Sequence, residues 1–151
     1  MAVEILDETQ RFPQGEAVRR ALEALLAEQG ASGRDLSVVF VDDAAIAVRN
    51  ARDRGVEGAT DVLSYPTAEP DDVGFPEVPH LGDVFISLDT AERQAAERGH
   101  DLLREVLVLA AHGVVHLQGF DHVDEAAWAP FLAAEQRIVE LAATPARERR
   151  P

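Results

Sequence analysis

The segment that most constrains the fold is "LLREVLVLAAHGVVHL", residues 102–117. Arranged as a helix, this segment is apolar on nearly every side, apart from Arg104 and Glu105 near its start. A helix that is apolar all round has to be buried, so other layers of structure must cover it. The pattern therefore predicts an interior helix, capped at its start by Asp101 and carrying His112 and His116 towards its end.

The rest of the chain alternates between short apolar runs and segments with helical spacing. The β-branched and apolar runs predict strands at 2–6, 35–43, 60–66 and 81–88. Apolar spacing and end signals predict helices at 16–30, 44–54 and 89–99, and a last helix that runs to about residue 142. Asp89 is the expected cap of the third helix, and Pro130 is expected to start or kink the last one. The segment 67–80, rich in proline, is predicted to be a long surface loop.

Length and composition favour one folded unit. A chain of 151 residues with 46% hydrophobic residues can build one buried core, and we find no repeat or linker that would divide it. We therefore predict a single domain over 1–142. The segment 143–151, "ATPARERRP", is expected to be a disordered tail.

Charge and targeting signals narrow the classes of function. The formal net charge of −14 argues against a nonspecific polyanion binder, although all 14 basic residues are arginines, which suit bidentate phosphate contacts. No apolar run reaches the length of about 18–20 residues that a membrane span requires. The first residues, "MAVEILDETQRF", lack the features of a signal peptide, so we expect a cytoplasmic protein.

Three of the five histidines fall within 11 positions, in "HGVVHLQGFDH". His112 and His116 are four residues apart, so on a helix they share one face. Gly119 permits a turn that can bring His122 back as a third ligand. Since the chain has no cysteine, a transition-metal site must use His, Asp or Glu. Three imidazoles leave one position of a tetrahedral zinc open, as in catalytic sites.

Neighbouring residues leave some alternatives open. Asp121 is either a hydrogen-bond partner of a metal ligand or a plain turn residue or helix cap. His80 and His100 are expected to be isolated in loops and solvated. Gly113 occupies the place where zinc proteases with H-E-x-x-H carry their general base, which argues against that class of peptidase.

The string "HGVVHLQGFDH" closely resembles the H-G-x-L-H-L-x-G-Y-D-H signature of the YbeY family of bacterial metal-dependent endoribonucleases, which act in ribosomal RNA maturation and ribosome quality control. "TDVLSYP" and "LGDVFIS" resemble two further segments of that family in the same order, so that the resemblance covers about residues 35–140. Asn50 and Arg54 match the family's L-N-x-x-Y-R element by their distance from Thr60. Arg49 and Asp53 depart from that element, and a shift of two residues would put Arg52 in place of Arg54.

The resemblance implies an α+β fold, with a mixed, mostly parallel sheet of about four strands, helices packed on it and a buried metal-bearing helix. It implies a Zn²⁺ ion, or another divalent transition metal, bound by His112, His116 and His122. It also implies that Arg54 and His112 are catalytic, and that Arg54, Ser64 and Asn50 contact the substrate.

These implications predict a single-strand-specific, metal-dependent endoribonuclease whose partner is RNA, in particular ribosomal RNA precursors. The expected mechanism combines a metal-activated water with stabilisation of the phosphorane-like transition state by Arg54. Arginines 49, 52 and 54 would form a locally positive spot with the cation, unless they are only a solvated helix face.

Two other functions remain open on the residues alone. The protein could be a ribosome-assembly scaffold with a structural metal, docking on ribosomal proteins or an assembly GTPase through its acidic surface. It could instead be a zinc hydrolase of a small substrate, although no dedicated general base, phosphate loop or serine nucleophile motif supports this.

Overall fold

The computed structural model describes residues 3–31, 34–67, 80–120 and 126–143. Its elements, in chain order, are β1 (Val3–Asp7), α1 (Gly15–Glu28), β2 (Asp35–Val41), α2 (Asp43–Arg54), β3 (Val62–Pro66), β4 (His80–Ser87), α3 (Leu88–Arg98), α4 (Leu102–Leu117), a 3-10 turn (Ala126–Trp128) and α5 (Ala129–Ala143).

The four strands form one mixed sheet in the order β1-β2-β4-β3. The pairs β1–β2 and β2–β4 are parallel, whereas β3 runs antiparallel to β4 and is the last strand in this order. This is the α+β architecture with a mostly parallel sheet that the family resemblance implied.

Alternation along β2 divides the apolar residues between two layers. Val38 and Phe40 enter the main core, which α1, α3, α4 and α5 cover. Val39 and Val41 face the opposite side, where they form a smaller cluster with Ile46 of α2. Because β2 is covered on both faces, it reads as a continuous apolar run rather than an alternating one.

The interior helix is confirmed. α4 spans the predicted range, contributes buried residues along its whole length, and is capped by Asp101, whose carboxylate accepts a hydrogen bond from the Arg104 amide at 2.9 Å. A Cβ added at Gly113 would lie 2.7 Å from Val84 Cγ1 and 3.1 Å from Ser64 Oγ. Glycine at this position therefore lets α4 cross closely over β3 and β4, which excludes the glutamate of the H-E-x-x-H motif on steric grounds as well.

Three local predictions are corrected. The cap of α3 is Ser87, which accepts from the Thr90 amide, and Asp89 lies in the first turn instead. His80 begins β4 and is not in a loop. His100 is not solvated, since its ring contacts the buried Glu105.

The end of the chain agrees in part with the prediction. α5 begins one residue before Pro130, where a missing amide hydrogen is tolerated. Residue 143, assigned to the tail, is helical, and residues 144–151 lie outside the described residues, as does the predicted loop over 68–79. No helix within the described ranges is long and apolar enough to cross a membrane.

Candidate metal centre and adjoining cleft

The last turns of α4 bring two imidazoles together. His112 and His116 lie one turn apart on the same face, with ring centroids 4.8 Å apart and Nε2 atoms 3.2 Å apart. Both side chains are partly buried against Phe131 of α5, whose ring centroid lies 4.7 Å from that of His112 and 4.8 Å from that of His116. The pair is therefore held on one side by the helix and on the other by an aromatic wall.

The other nitrogen of each ring has an acceptor. His112 Nδ1 lies 3.2 Å from Glu135 Oε2, and His116 Nδ1 lies 3.1 Å from the carbonyl oxygen of Phe120. A carbonyl or ionised carboxylate can only accept, so both contacts place the ring hydrogen on Nδ1. In the neutral rings, the lone pairs of the two Nε2 atoms then face each other across 3.2 Å.

This arrangement fits a metal ion. Two nitrogens bound to a tetrahedral zinc at 2.0–2.1 Å would lie about 3.3 Å apart, close to the observed separation. Hydrogen bonds from Nδ1 to a carboxylate or carbonyl are the usual support for such ligands because they fix the tautomer and the ring orientation. A cation between the Nε2 atoms would also remove the repulsion between their lone pairs.

Two predicted members of the site, Asp121 and His122, lie outside the described residues. Within the described ranges, no group of three or more His, Cys, Asp or Glu side chains is arranged to hold a metal ion. The structure thus places two of the three predicted ligands, and the third remains a prediction.

A cavity of about 340 Å³ lies beside the histidine pair, between α4 and β3. The described residues that line it are Arg54, Asp61, Val62, Leu63, Ser64, Pro66, His112 and His116. Ser64 Oγ donates to the carbonyl oxygen of Gly113 at 3.2 Å and so ties β3 to α4 directly beneath the pair. Arg54, from the last turn of α2, donates through Nη2 to the carbonyl oxygen of Ser64 at 2.9 Å.

Of the three arginines near the end of α2, all within the described chain, only Arg54 lines this cavity. Arg52 pairs with Asp53 at 2.7 Å, and hydrogen bonds from Arg52 and Tyr65 hold the pKa of Asp53 well below its usual range. The guanidinium of Arg49 stacks over the Phe85 ring at 3.9 Å. The expected positive spot built from all three arginines is therefore wrong, and Arg54 rather than Arg52 adjoins the histidines.

Asn50 does not line the cavity either. Its side chain is buried, and Nδ2 donates to the carbonyl oxygen of Gly58 at 2.9 Å. This contact braces the connection between α2 and β3, which carries Arg54 at one end and Asp61 at the other. The arrangement argues against the direct substrate contact expected for Asn50 and favours a role in positioning.

Glu135 was not predicted. Its carboxylate stands on the inner side of α5, one turn from Phe131 and three residues before the buried Ile138. A carboxylate at a helical spacing that otherwise carries apolar core residues is unusual unless it has a partner. That spacing was the signal in the sequence, but it did not reveal which histidine the carboxylate would meet.

Comparison with known proteins identifies the family of this chain. The family model for Endoribonuclease YbeY matches residues 4–142. Endoribonuclease YbeY of Thermus thermophilus is 48% identical over 124 residues, covering 82% of this chain and 88% of that protein. Endoribonuclease YbeY of Deinococcus radiodurans is 51% identical over 106 residues, covering 70% of this chain and 67% of that protein.

A solution structure of a Thermotoga maritima protein has the same fold. It superimposes with a TM-score of 0.62 and 21% identity, covering 98% of this chain and 99% of that one. The family match over nearly the whole sequence and the high identity to named endoribonucleases show that this chain belongs to the endoribonuclease YbeY family.

Proposed function

We propose that the protein is a metal-dependent endoribonuclease that cleaves single-stranded RNA and acts in ribosomal RNA maturation and ribosome quality control. Its substrates would be ribosomal RNA precursors in the cytoplasm, where ribosomal proteins or an assembly GTPase would be its protein partners. The family supports cleavage of RNA in general. The finer proposal depends on one observation, the convergence of two Nε2 atoms beside a cavity that also presents Arg54.

The donor set points to one Zn²⁺ ion or another divalent transition metal bound by His112, His116 and His122. Imidazole nitrogens are suited to such metals, and three protein ligands leave one coordination position open. When bound, the cation would supply a Lewis acid and lower the pKa of a water molecule towards 7. Glu135 and the Phe120 carbonyl hold the rings in the tautomer that leaves Nε2 available.

Arg54 is the residue that we assign to the phosphate. Arg54 is an exposed residue that lines the same cavity as the two rings, and its guanidinium is oriented by the Ser64 carbonyl. Planar, bidentate donors are well suited to the charge that develops on a phosphodiester during cleavage. Ser64 lines the same cavity, where its hydroxyl fixes the distance between β3 and α4.

The net charge of −14 does not exclude an RNA substrate, because the proposed contact is local. Affinity for single-stranded RNA should fall with added salt, since each neutralised phosphate contributes a slope of about −0.7 in a plot of log K against log salt. An affinity that does not change with salt would favour a different substrate.

The function is tested with apo protein, zinc-loaded protein and His116→Ala on single-stranded and duplex RNA. We expect cleavage of the single strand only, dependent on metal and lost in the variant. Metal analysis of protein purified without chelators or added metal gives the stoichiometry and identity of the ion. Equal cleavage by apo and loaded protein would contradict the metal dependence, and no cleavage by the loaded protein would leave the scaffold hypothesis standing.

A further inference from the structure

A second cavity, of about 190 Å³, adjoins the first on the other side of His112. It is lined by Asp61, Val62, Arg98, Val108, Leu109, His112, Trp128 and Glu135. Asp61, Val62 and His112 line both cavities, so the cleft continues past the histidine pair. A chain that crosses the pair in the first cavity can therefore extend into the second.

Trp128 provides an aromatic surface in this second cavity. The residue is 38% exposed, and its ring centroid lies 6.2 Å from that of His112 and 6.0 Å from that of Phe131. Val108 and Leu109 add apolar surface. An indole beside apolar side chains is the type of platform on which single-stranded nucleic acid stacks a base.

Arg98 brings a positive charge to the same cavity, and a buried carboxylate holds its guanidinium in place. Its Nη1 donates to Glu105 Oε2 at 2.7 Å, while His100 Nε2 lies 2.6 Å from Glu105 Oε1. The Glu105 side chain is 0% exposed, and a buried carboxylate is unfavourable unless it is paired. About half of the Arg98 side chain remains exposed, so the buried carboxylate fixes a guanidinium that solvent and a ligand in the cavity can still reach.

Two carboxylates also line the second cavity and affect what can enter it. Asp61 Oδ1 accepts from the Val62 amide at 2.8 Å, and Glu135 Oε2 lies 3.2 Å from His112 Nδ1. Their charge disfavours a phosphate beside them but not a neutral base. A nucleotide would therefore place its base against Trp128 and its phosphate beside Arg98, the arginine among the described residues of the lining.

From this arrangement we infer that the second cavity is a nucleotide subsite. It would bind the nucleotide next to the cleaved phosphodiester, with the base stacked on Trp128 and the backbone phosphate at Arg98. The inference rests on the proposed function, because RNA is the ligand. This subsite would add substrate contacts in the second cavity, whereas Arg54 lines the first.

The direct test uses the fact that Trp128 is the single tryptophan of the chain. A 2′-O-methyl single-stranded hexanucleotide, whose length is checked on a gel after the titration to establish that it stays intact, is titrated into the zinc-loaded protein while tryptophan fluorescence is recorded. We expect saturable quenching, with a midpoint that moves to higher concentration in Arg98→Gln. An oligonucleotide that binds by a separate measurement, such as anisotropy, without changing the fluorescence would overturn the subsite.

Kinetics give the second test. Trp128→Ala should lower kcat/KM for single-stranded RNA by about 5- to 150-fold, the range expected for losing one stacked base, and Trp128→Phe should recover most of it. Leu132→Ala is the matched control, because Leu132 is an exposed apolar residue one turn further along, outside the lining of the cavity. Melting temperature and zinc content, measured for all variants, separate a lost contact from a lost fold.

The outcomes distinguish the subsite from the proposed function. Saturable quenching without any cleavage of RNA would refute the nuclease and support the subsite. Cleavage by the wild type with unchanged kcat/KM in folded Trp128→Ala would refute the subsite and support the nuclease.

Discussion

The two ends of α4 both pair histidine with a carboxylate, but they use opposite ring nitrogens. At the start of the helix, His100 presents Nε2 to the buried Glu105, which also binds Arg98. At the end of the helix, His112 presents Nδ1 to Glu135, and its Nε2 faces that of His116 beside a cavity. The first pair satisfies a buried charge within the protein, whereas the second holds a nitrogen lone pair in position towards a cleft.

This difference shows that the identity of the paired residues does not decide what such a pair does. A carboxylate that is hydrogen-bonded to Nε2 occupies the ring nitrogen that is further from the backbone and better placed to reach a ligand. A carboxylate on Nδ1 leaves Nε2 available and makes it more basic. The contrast predicts that changes at the His100 end lower stability and leave metal binding intact, whereas changes at the His112 end affect metal binding and the cleavage that depends on it.

The largest expected effect comes from His112→Ala compared with His100→Ala. His112→Ala should lose the metal and reduce RNA cleavage by more than about 1000-fold, well above the 10- to 100-fold typical for losing a hydrogen-bond partner of a ligand. His100→Ala should retain the metal and lose about 1.5–3 kcal/mol of unfolding free energy, because it removes a hydrogen bond to a charged group. Metal analysis, cleavage rates and denaturant unfolding measure these effects.

Stoichiometric zinc in folded His112→Ala, with wild-type affinity, would contradict the distinction between the two ends. So would loss of zinc in His100→Ala at a temperature where that variant is folded.

The next effect separates two arginines on the same helix. Arg54→Glu should keep the metal but reduce cleavage by about 10²- to 10³-fold, because it removes a preorganised donor for the transition-state charge. Arg52→Glu changes the net charge equally but affects an exposed residue paired with Asp53 outside the cavity. We expect cleavage by this control to stay within about a few-fold of wild type, since long-range charge effects are screened by salt.

Rates of RNA cleavage at matched zinc occupancy provide the measurement. Similar losses in the two variants would mean that general charge, rather than the position of Arg54, determines activity.

Glu135→Gln and Glu105→Gln compare the two carboxylates directly. Glu135→Gln should weaken zinc binding or activity by about 10- to 100-fold, because the amide is a poorer acceptor for His112 Nδ1. Glu105→Gln should leave zinc affinity unchanged and lower the unfolding free energy by about 1–3 kcal/mol, through a weakened buried network. Zinc competition titrations and thermal unfolding, run on both variants, measure these effects. Weaker zinc binding in Glu105→Gln, with unchanged zinc binding in Glu135→Gln, would contradict the assignment of the two ends.

Much of this organisation was predictable from the sequence. The apolar helix over 102–117, its cap at Asp101 and the shared face of His112 and His116 follow from helical spacing alone. The α+β fold followed from the resemblance, because local patterns do not determine strand order. The spacing from Thr60 supported Arg54, yet Arg52 stayed an alternative, since Arg49 and Asp53 depart from the family's element and a shift of two residues would put Arg52 in that place.

The parts that could not be predicted depend on tertiary contacts. Glu135 is 23 residues from His112 in sequence, and only the packing of α5 on α4 brings them together. Asn50 was expected to contact the substrate, but its amide donates to the Gly58 carbonyl. His100 was expected to be isolated, but its ring contacts Glu105. Glu105 lies in a helix that is apolar on nearly every side, so helical spacing does not show in which direction its carboxylate points.

The smallest effect concerns the glycines at the two ends. A Cβ at Gly113 would lie 2.7 Å and 3.0 Å from the two methyl carbons of Val84, whereas Gly99 has φ +72° and open space around it. Gly113→Ala should therefore cost about 1–3 kcal/mol through overpacking, and Gly99→Ala about 1–2 kcal/mol through backbone conformation. Only the first should also weaken zinc binding, since it pushes α4 away from β3 and β4.

A double-mutant cycle separates these two causes. Val84→Ala removes the methyl groups that an alanine at 113 would meet, so the two substitutions should couple favourably, by about 0.5–3 kcal/mol, when unfolding free energies are compared. Val84→Ala should show no coupling with Gly99→Ala, because among the described residues no atom beyond the chain neighbours of Gly99 lies within 4 Å of a Cβ there. Additive effects of Gly113→Ala and Val84→Ala would mean that overpacking against Val84 is not the cause of the cost at Gly113.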